Sequence, residues 1–91
     1  MSGYRIAPRV VIQDVLSESV LLDMDRGEYF ELNESGSRML RALDRHGDPE
    51  TALTSLLDEY EVSRETLSKD FTILIDELHS RGLIEKRPQN P

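Results

Sequence analysis

The chain has 91 residues, 37% apolar and 32% charged, which describes one small domain with a thin core, since folding at this length buries only about 60% of the unfolded chain's surface. A deep cleft between lobes is excluded, so any activity has to come from a surface groove, a strand edge or a partner. Eighteen acidic against eleven basic residues give a net charge of −7, which argues against a phosphate backbone as the main ligand, and the lack of cysteine removes disulfides, thiolate metal sites and thiol catalysis.

The period of the apolar residues changes once, near Asn33, from strand-like to helical. Before it, Tyr4 to Ala7 either extends the first strand or leads into it, with Pro8 unsuited to a central ladder position. Val10, Val11 and Ile12 form a β-branched run, and Ser19 to Met24 is a second extended segment. Asp25-Arg26-Gly27 reads as a three-residue hairpin loop with glycine where the backbone needs positive φ, and Glu28 to Leu32 is the returning strand. A type I turn with a glycine bulge would set Met24 opposite Glu28, Leu22 opposite Phe30 and Val20 opposite Leu32. The predicted inward face is then Val20, Leu22, Phe30 and Leu32, with Leu21, Asp23, Tyr29 and Glu31 on the other side.

Three helices are predicted next. Gly36, Met39, Leu40 and Leu43 fall at i, i+3, i+4, i+7 behind a cap at Asn33 or Ser35, and Gly47 terminates the run. Gly36 suits a close approach of this helix to the sheet. Asp48-Pro49 starts a second helix carrying Leu53, Leu56, Leu57 and Tyr60. Ser63 caps a third, which ends near Arg81-Gly82, is about 28 Å long and packs through Leu67, Phe71, Leu74 and Leu78 with Ile75 on their flank. Ile73 falls about 240° from Leu67, beside Asp70 and Glu77, on a shoulder that is either an exposed scatter of one apolar residue or the wall of a groove. The tail from Arg87 to Pro91 is expected to be disordered.

The helix, turn, helix ending in Arg81-Gly82-Leu83-Ile84-Glu85-Lys86-Arg87 is similar to the end of a winged helix-turn-helix. Its would-be recognition helix, however, holds three basic against four acidic side chains, which opposes insertion beside phosphates. His46 and His79 are the two histidines, and Asp44, His46 and Asp48 read as a solvated helix terminus rather than a ligand set. There is no glycine-rich phosphate loop. No enzyme, metal or cofactor is expected. No apolar run approaches the roughly 18 residues of a membrane span, and a cytoplasmic location follows as the default.

Positions 21 to 43, and above all Gly27-Glu28-Tyr29-Phe30-Glu31-Leu32-Asn33 followed by Gly36 and Leu40, resemble the PqqD-like family of peptide-recognition modules. These are the precursor recognition elements of pathways that make ribosomally synthesised, modified peptides (RiPPs). The likeness runs from Tyr4 to Ile84 and looks most like the leader-binding component of lasso peptide clusters, with the precursor-peptide chaperone of quinone-cofactor biosynthesis as the nearest rival. A winged-helix DNA regulator is a further alternative. The resemblance implies an α+β fold in one domain: a three-stranded antiparallel sheet over residues 4–32, then a winged helix-turn-helix-like bundle of three helices over 34–82. It also implies that the leader of a precursor peptide adds as a strand along the third strand. On that reading the peptide-binding residues are Glu28, Tyr29, Phe30, Glu31 and Leu32 on the edge, with Asp70, Ile73, Leu74 and Glu77 on the third helix. The implied partners are the leader, a separate cysteine peptidase that removes it, and a cyclase, with neither nucleic acid nor membrane among them.

Overall fold

A computed structural model describes residues 3–87. Its elements are β1 (Tyr4–Ile6), β2 (Val10–Val15), β3 (Glu18–Asp23), β4 (Glu28–Leu32), α1 (Glu34–His46), α2 (Pro49–Leu57), α3 (Arg64–Ser80) and β5 (Ile84–Lys86). The architecture is α+β: an antiparallel sheet ordered β2-β3-β4, three helices, and a separate two-stranded sheet of β1 and β5.

Each helix begins where its sequence offers an oxygen to the orphan amides of the first turn. Asn33 accepts from Gly36 N, Asp48 from Thr51 N, and Ser63 from Thr66 N. The Asp48 carboxyl is held below the ordinary 3.8 by the Thr51 hydroxyl and then by the Thr51 amide. Gly36 sits against the end of β4, where an added Cβ would lie 3.2 Å from Leu32 Cδ2, so α1 approaches the sheet closely as expected. In α3 the buried positions are Leu67, Phe71, Ile75 and Leu78, whereas Leu74 is half-buried. Ile75 therefore takes the core place expected of Leu74.

The β3–β4 register differs from the predicted one by one residue. Ser19 pairs with Leu32, Leu21 with Phe30, and Asp23 with Glu28. The loop has four residues, 24–27, and Met24 belongs to it rather than to the strand. The cause is Asp23, whose Oδ1 accepts from the backbone N–H of Asp25 and of Arg26, each at 3.2 Å, while Gly27 N–H (φ 67°) donates to Asp23 O at 2.8 Å. This carboxylate-organised turn closes one residue earlier than a three-residue loop. β4 keeps its predicted faces, with Phe30 and Leu32 inward, but β3 is turned over: Ser19, Leu21 and Asp23 are buried, and Val20 and Leu22 lie on the outer face.

Two buried serines result, and both are satisfied. Ser19 Oγ donates to Asp14 Oδ1 at 2.8 Å and shares a 2.5 Å hydrogen bond with Ser37 Oγ of α1. Arg41 of α1 reaches both oxygens of Asp14, at 2.7 and 2.6 Å, so α1 is stitched to the β2–β3 hairpin. The Arg41 guanidinium, then the Ser19 hydroxyl, hold the Asp14 carboxyl below its ordinary range.

The predicted first strand and wing are corrected together. Tyr4–Ile6 does not extend the three-stranded sheet, and the segment after Gly82 returns as β5 to pair with β1, Tyr4 opposite Lys86 and Ile6 opposite Ile84. Arg87 does not begin a disordered tail: its N–H donates to Gly3 O at 2.8 Å, its Nε to Tyr4 O at 2.9 Å and its Nη2 to Asp44 O at 3.1 Å. The rest of that predicted tail, 88–91, lies outside the described residues. Among the described residues no helix is long and apolar enough to cross a membrane.

At the β2–β3 tip, Leu16 has φ 60° and is 99% exposed. A branched side chain in that region strains the backbone without any burial in return. Leu16→Gly is expected to stabilise the fold by about 0.5–1 kcal/mol, measured by urea unfolding.

Candidate functional site

The sheet has two outer strands. β2 faces solvent, and among the described residues nothing pairs with the outer edge of β4, because β1 and β5 close on each other. A strand of this length offers about 17 Å of unpaired backbone donors and acceptors.

The side of α3 that faces this edge is identified by one contact. Arg81, which caps α3, holds its guanidinium carbon 4.9 Å from the centroid of the Phe30 ring. Asp70, Leu74, Glu77 and Arg81 follow at i, i+4, i+7 and i+11, within about 60° of arc, so all four share one side of the helix. Phe30 and Leu74 are half-buried and pack on the core. Ile73 is 58% exposed and lines a surface hollow with Arg64, Glu65, Ser68, Lys69 and Thr72. Asp70 and Glu77 are exposed, and Glu77 Oε1 pairs with Arg81 Nη2 at 3.4 Å.

The other predicted residues divide by face. Leu32 is core at 5% exposure. Tyr29 and Glu31 point to the outer face, as expected, so that only their backbone borders the edge; Glu28 is exposed at the hairpin end, opposite Asp23. One contact distinguishes this edge from that of β2: Arg81, at the end of α3, lies over Phe30.

Sequence reasoning missed the device that ties the β3–β4 hairpin to the end of α3. The Asp23 side chain, 1% exposed, faces Arg9 Nε at 3.3 Å and Arg26 Nε at 3.8 Å. Arg9 Nη2 donates to Gly82 O at 2.7 Å and Arg26 Nη1 to Arg81 O at 3.2 Å. One buried carboxylate thus aims two arginines at the carbonyls of Arg81 and Gly82, just past the last residue of α3, and straps the β3–β4 hairpin to the helix end. Burial pushes the Asp23 carboxyl up, but the Arg26 amide and the charges of Arg9 and Arg26 outweigh it and hold it below 3.8. Asp23, four residues before Gly27, carried a turn signal in the sequence; Arg9, distant along the chain, carried none.

Among the described residues no group of three or more histidine, aspartate or glutamate side chains could hold a metal ion. His79 stacks edge-on against Tyr4, with ring centroids 5.8 Å apart.

Comparison with known proteins points one way. A family model described as coenzyme PQQ synthesis protein D (PqqD) matches residues 18–84. Two solved structures share the fold. TbiB1 in complex with the TbiA(beta) leader peptide is 30% identical, with a TM-score of 0.83 over 93% of this chain and 99% of that one. Lasso peptide synthetase B1 complexed with the leader peptide is 28% identical, with a TM-score of 0.81 over 91% of this chain and 98% of that one. A search of curated proteins finds no match.

Proposed function

Since the chain belongs to the PqqD family and is a PqqD-like RiPP recognition element, we propose that it is a non-catalytic, cytoplasmic adaptor that captures the leader of a precursor peptide in lasso peptide biosynthesis. The leader adds as a fourth strand to the outer edge of β4 and lays alternate side chains on Phe30, Leu32, Ile73 and Leu74. Asp70 and Glu77 receive basic residues of the leader, and the backbone of Glu28, Tyr29 and Glu31 completes the ladder. The captured precursor is then delivered to a separate cysteine peptidase, whose cut releases the core peptide to a cyclase.

The observation that carries this reading is an unpaired strand edge flanked by a helix, in a chain similar over nearly its whole length to two proteins solved with leader peptides. Backbone pairing supplies affinity with little selectivity, so the side-chain cleft supplies the choice of peptide. The α3 charges disfavour the DNA-regulator alternative: Arg64 is paired with Glu50 and Arg81 with Glu77, which leaves Lys69 as the α3 cation without an ion pair among the described residues.

Fluorescence anisotropy tests the proposal, using as probe the fluorescein-labelled TbiA(beta) leader peptide, the ligand of the 30%-identical neighbour. Ile73→Asp is expected to weaken binding at least tenfold, about 1.4 kcal/mol, and Asp70→Lys to weaken it less. Unchanged affinity in both folded variants removes the cleft from the reading.

A further inference from the structure

We infer that Arg81 is a displaceable cover on Phe30, and that it makes the middle of the strand edge selective for a large apolar guest side chain over a small one. The inference rests on the strand-capture reading and deepens it: it names the residue a captured peptide has to move and the kind of side chain able to move it.

The backbone around Arg81 is held firmly. Its N–H donates to Glu77 O at 3.2 Å, and its carbonyl accepts from Arg26 Nη1 at 3.2 Å. The next residue, Gly82, donates to His79 O at 3.0 Å and accepts from Arg9 Nη2 at 2.7 Å. The side chain, by contrast, rests on two weak contacts. Its guanidinium carbon lies 4.9 Å from the centroid of the Phe30 ring, and its Nη2 is 3.4 Å from Glu77 Oε1 in an i, i+4 pair whose two side chains are about half exposed. Exposed contacts of both kinds contribute little and yield to a group that packs better. A fixed backbone carrying a loosely held side chain is the arrangement of a flap on a hinge.

Phe30 is the middle residue of β4 and points to the inner face with Leu32. It is half-buried, so part of its ring stays outside the core, and the Arg81 side chain lies on that ring. Long cationic side chains shield apolar surface in this way while keeping the charge in water. A strand added at the edge of β4 sets an inward side chain of its own about 5 Å from that of Phe30. This neighbour and the guanidinium then compete for the same ring surface. A small guest side chain leaves Arg81 in place and gains no contact with the ring. A large apolar one covers the ring, gains from the area removed from water, and returns the guanidinium to solvent.

Anisotropy with the same labelled TbiA(beta) leader reads the cover. Folded Arg81→Ala, checked by a circular dichroism melt, is expected to bind the leader about threefold tighter than the unaltered protein, because the guest no longer competes with the guanidinium. An alanine scan of the leader against both proteins should cancel that gain at one leader position, the one beside Phe30, since a truncated side chain has no need to displace Arg81. A second measurement uses the unaltered protein alone: the NMR signals of the Arg81 side chain are expected to be shifted upfield by the Phe30 ring and to lose that shift as leader is added. Weaker or unchanged binding by Arg81→Ala, a gain that persists at every leader position, or a ring shift that survives saturation with leader overturns the cover while leaving strand capture standing. If the leader does not bind the unaltered protein, strand capture itself fails and the cover falls with it.

Discussion

Leu21→Ala is expected to destabilise the domain by about 2–5 kcal/mol, and Val20→Ala by less than about 1 kcal/mol, in urea unfolding at neutral pH. Leu21 has no exposed surface, lies opposite Ile12 and Phe30, and shares one inward face with Val10 and Leu32. Val20 is on the outer face opposite Gln13 and Glu31. Truncating Leu21 removes three side-chain carbons where the neighbours cannot collapse to fill the space. For a small domain with a total stability of about 5–15 kcal/mol this is a large fraction. The comparison also discriminates between registers: pairing Leu22 with Phe30 would bury Val20 and expose Leu21, and the order of the two effects would invert. That inverted order would refute the β3–β4 register on which the cleft depends, since the same slip that turns Leu21 inward brings Asp23 inward with it.

Asp23→Asn is expected to lower the melting temperature by about 5–10 °C and to weaken leader binding, although Asp23 touches no part of the proposed guest path. Asparagine retains an acceptor for the Asp25 and Arg26 amides, so the turn survives. It removes the charge that aims Arg9 and Arg26 at the carbonyls of Gly82 and Arg81, and the hairpin loses its strap to the end of α3. Positioning, rather than contact, is at stake. The expected signature is a loss of affinity that a disulfide from the hairpin loop to the α3 end restores; a loss that persists with the strap replaced covalently would argue for a direct contact.

The same residue sets an acid response. Its carboxyl is lowered in the folded state, so its contribution is fully present above the ordinary 3.8 and is lost as pH falls through the folded value. Asp14 and Asp48 are shifted in the same direction, and their contributions vanish in the same window. The melting temperature should therefore fall steeply below about pH 4, and the fall should be shallower in Asp23→Asn because one of the three protonations has been removed in advance. Parallel curves for the two proteins would contradict the role assigned to Asp23.

Much of this was legible from one dimension because it depends on neighbours in the chain. A side-chain oxygen two or three residues ahead of an orphan amide is local, and so Asn33, Asp48 and Ser63 were readable as caps. Helical spacing marked the buried positions of α1 and placed Ile73 on a shoulder that the structure leaves open. The face of β4 was also readable, with Phe30 and Leu32 inward, because alternation within a strand needs no knowledge of its partner. The resemblance carried by Gly27 to Asn33 supplied the strand edge as the place to look.

What the fold alone decided are relations between residues far apart in the chain. The face of β3 depended on whether the hairpin loop holds three residues or four, and that turned on a carboxylate that the alternation pattern counted as merely polar. β1 found its partner in β5, some eighty residues away, because closing the chain ends on each other satisfies both backbones and leaves β4 open. Arg9 and Arg26 were ordinary surface cations in the sequence and became the strap of the cleft once Asp23 was buried between them. Local periodicity and capping are set by sterics within a few residues, whereas register, edge availability and the placement of charge are set by which distant groups can satisfy one another at once, and only the packed chain resolves that competition.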